Sequence, residues 1–162
     1  MKRAIYIAFD QLHRGYGALK NAEKKSDLIV LVESQSMITG ADWHPERLFF
    51  LISSARHFAA ELRADGFDVR YIKAKNTVTG LKEIKKEFPA IEFLAAEQSS
   101  YRLTKSLTDF GVTFSENDFF LTPRLLFNSW ASSQKSYLME NFYRKQRVRL
   151  NVLMEGDAPD RK

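Results

Sequence analysis

The sequence predicts an α/β protein built on a Rossmann-like, doubly wound sheet of about five parallel strands, followed by C-terminal helices. Three observations carry that expectation. Residues 4–9 and 28–32 are nearly continuous apolar runs, as strands covered on both faces require. Segments of helical period separate the strand-like runs, the signature of βα units. Residues 67–73 alternate apolar with polar instead, which places that strand near an edge. With right-handed crossovers, these features give the strand order 3-2-1-4-5.

After the first two strands, a long helix is expected from about His44 to Asp65. Leu48, Ile52, Ala55, Ala59 and Leu62 fall on one face, and Gly66 supplies a left-handed stop. The alternating third strand follows, then a helix with Leu81, Ile84 and Phe88 on one stripe that ends before Pro89. Residues 91–96 form a fourth strand. A helix starting at Ser99 or Ser100 buries Leu103, Leu107 and Phe110 and stops at Gly111. Residues 112–114 make a short fifth strand. Thr122-Pro123 read as N-cap and first residue of a helix through Phe127 and Trp130, and a last helix covers residues 137–150.

The 162 residues fit one domain, with 44% apolar and 28% charged residues, ordinary for a soluble globular chain. There is no cysteine, so the chain offers no disulfide, thiolate metal site or thiol nucleophile. That fits a reducing compartment. The first residues carry too short an apolar run for a signal peptide, and no stretch approaches the ~20 apolar residues of a membrane span. A cytoplasmic protein without membrane contact is expected. Lys and Arg total 25 against 20 Asp and Glu, a net charge of +5. This suits either nucleic-acid contact or a solvated surface, and there is no block of five like charges.

Ligands of open α/β sheets bind outside the carboxyl ends of the strands. Asp10-Gln11-Leu12 follows strand 1, Glu33-Ser34 follows strand 2, and Glu97-Gln98-Ser99 follows strand 4. These carboxylates, amides and hydroxyls could converge on one crevice and read the polar edge of a flat heterocycle. Asp10 and Ser99 also stand where N-caps belong, so helix capping is the competing reading. No Gly-x-Gly-x-x-Gly turn, phosphate-cradling loop or Gly-x-Ser-x-Gly elbow is present. His13, His44 and His57 have no partner at metal-ligand spacing. No catalytic residue and no metal ligand is assigned. His44, near the tip of strand 2, is the histidine best placed for a ligand. Arg144, Lys145, Arg147 and Arg149 interleave with Phe142, Tyr143 and Leu150, a pattern suited to touching DNA or to packing as an amphipathic helix.

Several of these pieces recur together in a known family. They are Asp10-Gln11-Leu12, Val32-Glu33, His44, Ser54-Ala55-Arg56-His57-Phe58 with Glu61-Leu62, and Gly66 with Val69-Arg70-Tyr71. Further on come Phe120-Leu121, Phe127, Trp130, Met139-Glu140 with Phe142-Tyr143-Arg144, and Val152-Leu153-Met154. In this order the chain resembles the N-terminal domain of the deoxyribodipyrimidine photolyase-related family, the iron–sulfur branch of bacterial photolyases and cryptochromes. The resemblance implies an antenna-type α/β domain over residues 1–134. Residues 135–162 would form a basic helix and the start of a linker to a flavin-binding helical domain beyond the chain's end.

The resemblance further implies 6,7-dimethyl-8-ribityllumazine as the antenna, contacted by Asp10, Gln11, Glu33 and the loop up to His44. In that loop the chain has Met37, Gly40 and Trp43-His44-Pro45, where lumazine-binding members carry glutamate, tyrosine and a His-His-Lys run. FAD and the 4Fe-4S cluster would belong to the helical domain alone, so this stretch would be inactive by itself. DNA would be the partner of a full-length member, with weak contact at best here, and residues 152–154 would favour self-association. A stand-alone Rossmann-like nucleotide-binding protein, or a basic module for nucleic acid or protein, is the alternative reading.

Overall fold

A computed structural model of the chain describes residues 3–156 and 158–159. Five parallel strands form the expected sheet: β1 (Arg3–Tyr6), β2 (Asp27–Ser34), β3 (Asp68–Ala74), β4 (Glu92–Ala96) and β5 (Val112–Ser115). Their order is β3-β2-β1-β4-β5. The alternating segment is an edge strand, as its pattern required. Between the strands lie α1 (Gln35–Thr39), α2 (Pro45–Ala64), α3 (Thr77–Glu87) and α4 (Tyr101–Phe110). The chain continues into α5 (Arg124–Ala131), α6 (Met139–Leu150) and a minimal antiparallel pair, β6 (Met154–Glu155) with β7 (Ala158–Pro159).

The alternation of side chains along each strand sorts the apolar residues into two cores. Ala4, Tyr6, Leu28, Val30 and Val32 pack on one face with Leu81 and Ile84 of α3 and Leu107 of α4. Ile5, Ile29 and Leu31 point to the other face, against Ala55, Phe58, Ala59 and Leu62 of α2. Every residue of β2 is buried, which explains its unbroken apolar run. At the opposite end from the candidate site, Arg3 clamps the buried Asp27 carboxylate with two hydrogen bonds of 3.0 and 2.9 Å. The Glu23 amide also donates to Asp27, at 2.8 Å.

Local signals hold where one residue sets the geometry. Gly66 and Gly111 follow α2 and α4 with φ of +89° and +93°, a region costly for residues with a Cβ. His44, Asn76 and Ser100 are N-caps whose side chains accept from backbone amides in the first turn. Two helix starts differ from the sequence reading. Pro123 is itself the N-cap of α5, in extended conformation, so the helix opens at Arg124. The Thr122 hydroxyl is instead engaged with Gln146, at 3.1 Å. α6 begins at Met139 after Leu138, which offers no capping side chain. The sequence reading also lacked α1 and a short 3-10 helix at Gly17–Asn21.

The chain divides into two compact units, Met1–Phe119 and Phe120–Lys162. The first holds the sheet and α1–α4. Within the second, Phe142 of α6 meets Phe127 edge-on at 5.3 Å and lies 4.8 Å from Trp130, ring centre to ring centre.

Gly80 of α3 lies directly on β2. A Cβ there would sit 2.8 Å from Cγ1 of Val32 and 3.0 Å from its Cγ2. Replacing a helix-interior glycine by alanine ordinarily stabilises by about 1 kcal/mol, whereas overpacking costs about 1–3 kcal/mol. The contact should win: Gly80→Ala should lower the midpoint of urea unfolding, and Gly80→Val more so. A more stable Gly80→Ala would show that Val32 gives way.

Candidate functional site

Chain direction reverses its winding between β1 and β4, so the carboxyl ends of these strands form the switch point of the sheet. A buried amide network closes it from below. Gln11 Nε2 donates to the Glu97 carbonyl at 3.1 Å, and Gln11 Oε1 accepts from Gln98 Nε2 at 3.2 Å. Gln98, only 1% exposed, also donates to the Ala96 carbonyl at 2.6 Å. Asn117 Nδ2 reaches the same Glu97 carbonyl at 2.8 Å, and its Oδ1 accepts from the Phe119 amide at 3.1 Å. Buried amides are costly unless paired, so these residues fix the loops after β1, β4 and β5 to one another. Gly17 completes the lock. Its φ is +62°, its amide donates to Asp118 Oδ1 at 2.5 Å, and a Cβ would meet the Phe119 ring at 2.9 Å.

A second cluster surrounds Glu33 near the end of β2, where the residue is 9% exposed. Tyr71 on the neighbouring β3 donates its hydroxyl to Oε2 at 2.7 Å. Arg56 of α2 grips both oxygens, from Nε at 3.0 Å and from Nη2 at 3.0 and 2.8 Å. Lys73, the register partner of Glu33 on β3, stands 3.8 Å away. Desolvation pushes the carboxyl pKa up, but the Tyr71 hydroxyl, the Arg56 guanidinium and Lys73 together outweigh it. The net shift is downward, so Glu33 is an anion at neutral pH. Burial, and then the hydrogen bond to Glu33, raise the Tyr71 pKa in turn. The Phe9 ring, immediately before Asp10, stacks on Tyr71 with centroids 6.2 Å apart. The β1 loop and the Glu33 cluster therefore share a wall.

The remaining sequence candidates separate by exposure. Asp10 is exposed and starts no helix, so it is not an N-cap. Leu12 is half-buried and lines an open groove of about 450 Å³ with Phe50, Phe58 and Glu61 of α2. Ser34 caps α1, accepting from the Met37 amide at 3.3 Å, and its hydroxyl lies 3.0 Å from that of Ser36. His44 is exposed and caps α2 through Nδ1, which accepts from the Glu46 amide at 3.3 Å. Ser99 is exposed and the cap of α4 is Ser100. Glu97 enters the network through its carbonyl. The structure thus joins Gln11 with the Glu97 backbone, and Glu33 with residues of α2 and β3. It leaves Ser34 and His44 as caps along the connection between β2 and α2.

Arg56, Tyr71, Lys73 and Asn117 are partners of the candidate residues that the sequence analysis did not single out. The signal for Tyr71 and Lys73 was available in the alternation of β3, which sets 69, 71 and 73 on one face beside β2. Nothing local in the sequence announces Arg56 or Asn117 as partners. Among the described residues, no group of three or more His, Cys, Asp or Glu could hold a metal ion, and no helix is long and apolar enough to cross a membrane.

A family model described as deoxyribodipyrimidine photo-lyase-related protein matches residues 5–160. The chain is also 31% identical, over 171 aligned positions, to a (6-4) photolyase of Agrobacterium fabrum. That alignment covers 98% of this chain but 34% of the relative, so the chain spans about a third of the relative's length.

The lowered Glu33 pKa gives a pH signature. A carboxylate depressed on folding stabilises above its unfolded pKa, about 4.3 for glutamate, and loses that contribution as pH falls through its folded value. Glu33→Gln should therefore cost about 1–3 kcal/mol at neutral pH, the worth of charged hydrogen bonds. The gap to wild type should close on acidification below the ordinary carboxylate range. Thermal melts of both proteins across that range are the measurement; a gap constant with pH would mean the charge of Glu33 contributes nothing.

Proposed function

The chain belongs to the deoxyribodipyrimidine photolyase-related family, and we propose that it serves as the antenna domain of a light-driven DNA-repair or photoreceptor protein. The observation that carries this reading is the shared wall at the carboxyl ends of β1 and β2. Exposed Asp10 stands beside Phe9, which stacks on the tyrosine that holds Glu33. A flat heterocycle with a ring N–H and a hydroxylated side chain, as in 6,7-dimethyl-8-ribityllumazine, needs an acceptor for those donors and apolar surface beside the ring. The Asp10 carboxylate supplies an accessible acceptor, and Glu33 is already held as an anion by Arg56 and Tyr71. Leu12 offers the apolar edge. Gln11 acts from beneath by fixing the loop, Glu97 and exposed Ser99 would form the polar rim, and Ser34 and His44 support the adjoining loop as helix caps. Bound there, the antenna would absorb light and pass its excitation on. The residues of this chain would only hold and orient it.

FAD and a 4Fe-4S cluster belong, in this reading, to chain that the longer relative has beyond the matched third. The chain has no cysteine with which to ligate a cluster. DNA is then the partner of the whole protein, with at most weak, salt-sensitive contact from exposed Arg144 and Lys145 of α6, and the cytoplasm is its location. Val152 and Leu153 are exposed, a candidate surface for self-association.

Fluorescence titration of the chain with lumazine, flavin mononucleotide and adenine nucleotides tests the antenna reading. The lumazine should bind, and Asp10→Ala should weaken it by about 1–3 kcal/mol, the cost of an unmatched polar group. Asp10 is exposed, so its loss should leave the melting temperature unchanged. If none of the three ligands binds, the crevice is not an antenna site.

A further inference from the structure

The outer face of α2 carries Phe49 and Phe50, 75% and 68% exposed, one turn before the small residues Ser53 and Ser54. These serines line the groove together with Leu12, His57 and Glu61. Residues 47, 50, 54, 57 and 61 follow alternating steps of three and four, the spacing of a helix–helix seam. We propose that this face binds a second copy of the chain, with the two α2 helices antiparallel about a two-fold axis through Ser54.

The helix is self-complementary about that point. Ser54 stands midway between Arg47 and Glu61, seven residues from each, so an antiparallel pair sets Arg47 against Glu61 of the other copy at both ends. Phe50 then falls opposite Phe58, over the groove, and the small serines allow close approach at the axis. A two-fold contact of this kind repeats each interaction twice and closes on itself. Both charges are free enough to take part. Arg14 has its short ion pair with Asp65 at 2.8 Å and keeps only a 3.4 Å contact to Glu61. The Arg47 guanidinium rests over the Trp43 ring at 4.4 Å without an ion pair among the described residues. Charge complementarity thus favours a second copy over an unrelated apolar partner. A 20-residue helix is about 30 Å long, so a single helix pair is a small contact beside the roughly 1,200–2,000 Å² of a stable specific interface. The dimer is weak and reversible.

Sedimentation velocity over a wide concentration range tests this on the full chain. Wild type should shift from monomer to dimer with concentration, and Phe50→Asp should remain monomeric. Arg47→Glu and Glu61→Arg should each weaken dimerisation about tenfold, since two exposed ion pairs are lost at once. The double variant, Arg47→Glu with Glu61→Arg, should restore it. All three positions are exposed, and melting curves establish that each variant is folded. A wild type that stays monomeric at the highest concentration overturns the proposal. So does a double variant no better than either single one. Association that survives Phe50→Asp but disappears when the chain is ended at Asn151 would place the contact in the C-terminal segment instead.

Discussion

The two-sided burial of β2 is the constraint from which the rest of the structure follows. Its eight residues have no solvent face, so helices must cover both sides of the sheet. Parallel neighbours then require right-handed crossovers that all begin at the same edge. The polar residues that end the strands are thereby collected at one side of the molecule. Asp27, at the start of β2, is neutralised by Arg3. Glu33, near its end, must find partners of its own.

Those partners tie the elements of the candidate site to one another. A carboxylate as buried as Glu33 is tolerated only when paired and hydrogen-bonded. Tyr71, Arg56 and Lys73 provide this from β3 and α2, tying the first crossover to the edge strand. The Gln11–Gln98–Asn117 network does the same for loops on the other side of the switch point. Binding energy at such a site need not be spent on ordering loops. The same saturation occupies the polar atoms of the buried groups, whereas the Asp10 side chain is exposed.

α2 has two roles on its two faces. Ala55, Ala59 and Leu62 bury against the sheet, while Phe49 and Phe50 face outward. A helix that is apolar on both sides is expected where a second surface covers it. Arg56 lies between these faces and reaches Glu33, so the helix that builds the candidate site also carries the apolar groove.

The sequence by itself determined the strand order, the edge position of β3 and the ends of α2 and α4. Each of these rests on local chemistry: period-two against period-3.6 patterning, and glycines at 66 and 111 where a left-handed residue is required. It also put Asp10, Gln11 and Glu33 on the carboxyl side of the sheet, although β1 ends at Tyr6, before Asp10, and Glu33 lies within β2 rather than after it. What only the tertiary structure decided is which polar groups pair there. Arg56 lies 23 residues from Glu33 and Tyr71 38 residues from it, and Gln98 lies 87 from Gln11. Contacts over such separations leave no period in the chain, because they arise when crossovers bring distant segments into register. The same reason moved Thr122 from the helix cap it resembles to a bond with Gln146, since a hydroxyl takes the best partner that packing presents.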